Sequence, residues 1–275
     1  SYVRVPWEGT GEANSPFLIK TPEDLNDLAT IVNSGKLTTN GLYFKLDADI
    51  DCKDLTSYVP IGYRPHSSFD GIFDGGNHII RNLRYNPNVL NDPYNPDGIG
   101  LFGDIYGTVK NLTLEDCTLG GGYTNGAIAE FFNGVIENCT VSSCTISGGR
   151  TGGIAGYVWN GSTITNCSVI NSTLTDGGTM GGIAGMAEGN VNIQNCTVDG
   201  CTITTTEENA NIGGIVENNA ADISYCKVKG TSIICGANSI AAAIVPDANS
   251  GTFVGNYYYG DVTITIGGTT LSGHT

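Results

Sequence analysis

The chain has 275 residues, with 27 acidic and 12 basic side chains giving a formal net charge of −15, and lysine and arginine cluster nowhere in it. That excludes nucleic acid as a partner, because neutralising phosphates takes grouped cations, and the absence of any run of about 20 apolar residues excludes a membrane-spanning helix. Charged residues are only 14% while glycine numbers 40, a composition suited to backbone ladders and turns rather than helices laced with ion pairs.

Residues 1 to 20 set Trp7, Phe17 and Leu18 among Gly, Pro and Asn and are expected to lie across the first layer of the fold. The first residue is Ser1 rather than methionine, as in an exported chain whose signal has been removed. One helix follows, over residues 21–34. Thr21 is its N-cap, Pro22 its first residue, and Glu23 and Asp24 lie in its first turn, each of which favours a helix start. Leu25, Leu28, Ala29 and Val32 form one apolar stripe and Gly35 ends it. Residues 42–51 then alternate as a strand, Val59 starts another, and Phe69 to Ile80 reads as strand, Gly-Gly turn, strand. Asn82-Leu83 looks like the first of a series of corners, and residues 86–97, rich in Asn, Pro and Asp, form an irregular insertion.

From there the chain repeats itself. The phrase Gly152-Gly153-Ile154-Ala155-Gly156 recurs around Leu101, Ile128, Ile183, Ile215 and Ile244, at steps of 26 to 32 residues. A second phrase, Ile164-Thr165-Asn166-Cys167-Ser168-Val169, recurs around Leu112, Cys139, Cys196 and Cys226. Such a period with variable joints signals a solenoid. Within a repeat, apolar residues fall in pairs at spacing two, as in Cys139 and Val141, then Cys144 and Ile146, which is strand periodicity. Each copy is expected to hold about three short strands, making one coil of a right-handed parallel β-helix. Seven such coils would make an all-β rod with one N-terminal capping helix. A single domain is expected: a cap over 1–48, repeats over 49–256, and a C-terminal cap and tail over 257–275. Asn138, Asn166 and Asn195 precede the cysteine strands, where a sharp corner needs the left-handed backbone that Asn tolerates. Loops at 147–151, 175–180 and 204–211 fall at one place in successive repeats.

Stacking the copies puts Cys139, Cys167, Cys196 and Cys226 in one interior ladder and Cys117, Cys144 and Cys201 in another, with Ser172 and Thr231 on its remaining rungs. No Cys-x-x-Cys pair is present and the total of nine is odd, so the cysteines read as small buried hydrophobes, mostly reduced, rather than a zinc site or disulfide framework. Triplets such as Asn138-Cys139-Thr140 look like glycosylation acceptors but are products of the repeat, at what reads as a buried corner.

These residues resemble the GLUG-motif repeats of exported bacterial proteins. The resemblance is carried by Gly100-Leu101-Phe102-Gly103, by the Gly-Gly-Ile-Ala-Gly copies at 152 and 181, and by Phe69-Asp70-Gly71-Ile72-Phe73-Asp74-Gly75. The helix at 21–34 and Asp47-Ala48-Asp49-Ile50-Asp51 are similar to the segment that precedes such repeats. Similar repeats occur in surface adhesins and in non-catalytic regions of immunoglobulin-A-protease-like proteins, which implies an extracellular or cell-surface address. The zinc motif His-Glu-x-x-His of those peptidases is absent: His66, His78 and His274 are isolated and none is followed by Glu.

Two groups of residues are candidate sites. Asp47, Asp49 and Asp51 alternate on a strand and could share a calcium ion. Tyr106, Phe131, Phe132, Tyr157 and Trp159 follow the glycine phrase in three successive coils, so stacking would gather Tyr106, Phe132, Tyr157 and Trp159 into an aromatic edge able to hold sugar faces or a protein. The expected function is a non-catalytic, monomeric surface solenoid that binds a host or microbial glycan or surface protein. The alternatives are a carbohydrate-active lyase or hydrolase on the same scaffold, and a structural spacer of an immunoglobulin-A-protease-like protein.

Overall fold

The computed structural model describes residues 4–56, 58–62, 67–85, 98–218, 220–246 and 251–271. The insertion at 86–97 and the histidines His66 and His274 lie outside the described residues.

The chain winds into a parallel β-helix with one helix at its N-terminal end, as the repeat predicts. Each full coil has five short strands rather than three. In one coil these are Thr124–Gly126, Ala129–Phe132, Val135–Glu137, Thr140–Ser142 and Thr145–Ser147. We number the faces of the rod one to five in that order; they stack six, five, nine, eight and seven strands deep. The longest face thus has nine rungs, from Phe17–Ile19 to Phe253–Val254, where seven coils were expected. Among the described residues every pairing between strands is parallel except that of Thr269–Thr270, which folds back on Thr263–Ile266 at the end of face five.

The extra strands arise because the chain turns more often than apolar spacing reveals. Residues with left-handed backbone stand at two corners per coil. Asn111, Asn138, Asn166, Asn195 and Tyr225 mark the first; Asn82, Asp116, Ser143, Asn171, Gly200 and Gly230 mark the second. Each pair of corners isolates a face only three residues wide. Leu83 pairs through its carbonyl with Thr118, and Cys117 likewise with Thr145, so Asn82-Leu83 belongs to the second corner rather than the Asn-Cys corner it resembles.

The corner asparagines are exposed while the cysteines beside them are buried, which corrects the reading of a buried acceptor triplet. A left-handed residue turns its side chain outward. Their amides join coil to coil: Asn166 Nδ2 donates to Asn138 Oδ1 at 3.2 Å, Asn138 Nδ2 to Asn111 Oδ1 at 3.3 Å, and Asn111 Nδ2 to Asp74 Oδ1 at 3.0 Å.

Inside, equivalent side chains stack in columns. Ile136, Val141 and Ile146 are fully buried beneath Ile164, Val169 and Leu174, each contributing about 1.5–3 kcal/mol by burial. The N-terminal coils are filled instead by rings, Trp7, Phe17, Phe44, Phe69, Phe73 and Phe102, with neighbouring centroids 5.0 to 6.5 Å apart. All nine cysteines are free and buried. They also serve the corners: Cys144 Sγ lies 3.3 Å from the Ser142 carbonyl, and Ser172 Oγ on the next rung donates to Ile170 O at 2.9 Å. A hydroxyl therefore substitutes for a thiol in this ladder.

The helix spans Pro22–Asn33 with a complete capping box between Thr21 and Asp24, and buries Leu25, Leu28, Ala29 and Val32. Asn33 ties it to the coil below, donating to the Pro60 carbonyl at 2.9 Å and accepting from the Gly62 amide at 2.7 Å. This covers core side chains that an open solenoid end would expose.

Candidate functional site

The aromatic edge is built by face two and the turn after it. The register aligns Phe131 with Asp104 on one side and Tyr157 on the other, and continues to Met186. In this column Phe131, Tyr157 and Met186 point outward and are half-buried, whereas Asp104 is buried; the next column, Ile105, Phe132, Val158 and Ala187, points inward and is fully buried. Phe132 is therefore a core residue and not part of the edge, and Phe131 takes its place. The reason is a shift in parity: Ala129 and Glu130 are both buried, so strict alternation is broken at the bend before Phe131.

Tyr106, Phe131, Tyr157 and Trp159 form one continuous row, with centroid separations of 6.0, 5.6 and 5.8 Å and tilted rings. Tyr106 is 49% exposed and Trp159 38%. The row is thus a surface feature, and its members hold one another in place.

Two further residues join it from face one. The Arg150 guanidinium lies 4.9 Å from the Tyr157 ring centre and 5.4 Å from that of Tyr123, which is 67% exposed. Such contacts orient a cation over ring faces. Burial and a short hydrogen bond from its hydroxyl to Glu188 push the Tyr157 phenol up to about 12, so it stays a protonated donor at neutral pH. Arg150 and Tyr123 escaped sequence reasoning because they precede the glycine phrase rather than follow it. The one available signal was Arg150 itself, among only 12 basic residues.

The three aspartates do not converge. Asp47 lies 3.9 Å from Lys20. Asp49 accepts from the Ile79 amide at 3.0 Å and lies 3.2 Å from His78 Nδ1, contacts that hold its carboxyl below the usual range. Asp51 accepts from Asn82 at 2.8 Å and from the Lys53 amide at 3.1 Å, and is likewise lowered. Each carboxylate braces a different neighbour, and among the described residues no three His, Cys, Asp or Glu side chains are grouped to hold a metal ion.

A family model described as the GLUG motif matches residues 147–175. That span is one full turn of the rod, since Ser147 and Thr175 are register partners on face five. The chain carries the GLUG motif. Over 140 residues, 46% of its length, it is 32% identical to halomucin of Haloquadratum walsbyi, of which it spans only 1%. Among solved structures, a candidate immunoglobulin A1 protease from Bacteroides ovatus is 24% identical with a TM-score of 0.79, over 96% of this chain and 81% of the other. A structure named IgA1 protease is 15% identical with a TM-score of 0.56, over 90% of the chain and 21% of that protein. At these identities the structural likeness establishes the shared fold. No helix among the described residues is long and apolar enough to cross a membrane.

Proposed function

We propose that this GLUG-repeat chain is a non-catalytic binding solenoid, working outside the cell or at its surface, and that its aromatic edge holds the apolar face of a glycan. The observation that carries the reading is the row Tyr106, Phe131, Tyr157 and Trp159, packed ring to ring across three coils with both end rings exposed, with Arg150 and the Tyr157 hydroxyl beside it. Packing of the core does not require it, because the inward column beside it is complete without these rings. Flat rings cover the C–H faces of sugars while neighbouring polar groups take their hydroxyls. Likeness to halomucin and to immunoglobulin A1 protease structures supports an extracellular address, since an immunoglobulin is met outside the cell. The missing His-Glu-x-x-His motif supports a binding rather than a peptidase role.

The test is a glycan array that includes mucin and immunoglobulin A, followed by the Trp159→Ala variant. Affinity for the ligand so found should fall about tenfold or more, with the denaturation midpoint nearly unchanged. An equal affinity for the variant would remove the edge from the binding site, and turnover of a polysaccharide by the purified protein would overturn the non-catalytic reading.

A further inference from the structure

The outer surface of face three carries a second feature, at its N-terminal end. Phe44, Phe73 and Val109 point into the core, so the residues beside them in register point out. One outward column is Tyr43, Ile72 and Thr108; the other is Lys45, Asp74 and Lys110. A wall rises beside them. The loop bridged between Glu12 and Ser15 is held to the sheet by the Tyr43 amide, which donates to the Gly11 carbonyl at 2.9 Å. Loop and sheet enclose a cleft of about 390 Å³ with Asn14 and Pro16 on the wall, Tyr43 and Ile72 as an apolar strip, and the two lysines flanking Asp74.

The charges here are unusual for this chain. Only 12 basic residues stand against 27 acidic ones. Lys20, Arg81 and Lys229 are engaged in ion pairs at 3.0, 3.1 and 2.9 Å. Among the described residues neither Lys45 nor Lys110 has such a partner, although Asp74 lies one rung from each and Glu137 one rung beyond Lys110. Asp74 is occupied otherwise: its Oδ1 accepts from the Gly76 amide at 2.9 Å and from Asn111 Nδ2 at 3.0 Å. That fixes the carboxylate and leaves Oδ2 to accept from a hydroxyl.

We infer that this cleft binds a carboxylated sugar unit of a glycan, its carboxylate between Lys45 and Lys110, a hydroxyl on Asp74 and its ring against Tyr43 and Ile72. Among the residues that line the cleft, two ammonium groups against one carboxylate leave a single net positive charge, which matches a monoanion. A phosphate dianion would meet repulsion from Asp74, and a neutral sugar would leave both cations unused. The volume suits one sugar ring. The site lies on a different face from the aromatic edge and does not depend on it.

Titration of the intact protein with free glucuronate and N-acetylneuraminate, followed by amide NMR and calorimetry, tests this. At least one acid should shift the amides of Tyr43, Ile72 and Lys110, with affinity that weakens as salt is raised. The Lys45→Gln/Lys110→Gln protein, its melting unchanged, should bind about tenfold more weakly or worse, while Lys53→Gln should bind as the parent does. Glucose or inorganic phosphate binding as tightly as the sugar acids, shifts confined to another face, equal affinity for the double variant, or no binding of either acid would each overturn the inference.

Discussion

Tyr225 occupies the rung on which Asn111, Asn138, Asn166 and Asn195 stand in earlier coils, and like them it has a left-handed backbone, with φ of 54°. A ring gains nothing from that conformation, which costs an ordinary L-residue about 1 kcal/mol or more, whereas Asn tolerates it. The Tyr225 ring is 54% exposed, so its removal forfeits little burial. Tyr225→Asn should therefore stabilise the protein by about 0.5–1 kcal/mol, seen as a higher urea midpoint. A lower midpoint would mean that the ring's packing over the Gly255 turn outweighs the backbone strain. The same scale explains why cysteine, serine and threonine alternate in the second ladder: each is small enough for the interior and each can donate to the carbonyl two residues back.

At the scale of the element, the glycine phrase is where coil meets coil most closely. A Cβ on Gly153 would fall 2.1 Å from the Gly182 carbonyl oxygen, and one on Gly182 would fall 2.2 Å from that of Gly214. These are backbone atoms of the next rung, fixed by the ladder, and cannot yield. Gly153→Ala should cost about 2–3 kcal/mol. Gly260→Ala, where nothing lies within 4 Å and φ is unremarkable, should leave stability within about 0.5 kcal/mol. Comparable denaturation midpoints for the two variants would show that the wall is not tightly packed. The recurrence of glycine is thus a steric requirement of stacking.

For the whole molecule, the buried thiols tie stability to pH. Burial pushes Cys52 up to about 12 and also raises Cys201 and Cys235, while thiols of the unfolded chain ionise near about 8.5. Below that value both states hold the proton and nothing is lost. Above it the unfolded state binds fewer protons than the folded one, so unfolding free energy falls as pH rises, by up to about 1.4 kcal/mol per pH unit for each such thiol. The urea midpoint should be flat from pH 6 to 8 and drop clearly by pH 10, in enough salt to screen the acidic surface. A midpoint that does not move between pH 7 and 10 would contradict the burial of these three thiols.

Much of this was legible in the sequence because in-register stacking converts a repeat into a list of neighbours: residues equivalent in the phrase become partners across a rung. That sufficed for the parallel β-helix, the ladder of Cys139, Cys167, Cys196 and Cys226, the left-handed corners and the capping helix. The sequence could not by itself count strands, since a step of three between apolar pairs, as from Val141 to Cys144 across Ser143, does not say how sharply the chain turns, and the corner residue is any of Asn, Asp, Ser, Gly or Tyr. Nor could it tell Phe131 from Phe132, because the consecutive buried Ala129 and Glu130 reset the alternation. Tertiary structure alone decided that Arg150 reaches Tyr157 from another face, that Asp47, Asp49 and Asp51 part company, and that the loop at 12–16 walls in Lys45 and Lys110. Each of these depends on side chains or loops crossing between faces, where the repeat, which relates one coil to the next along a single face, carries no information.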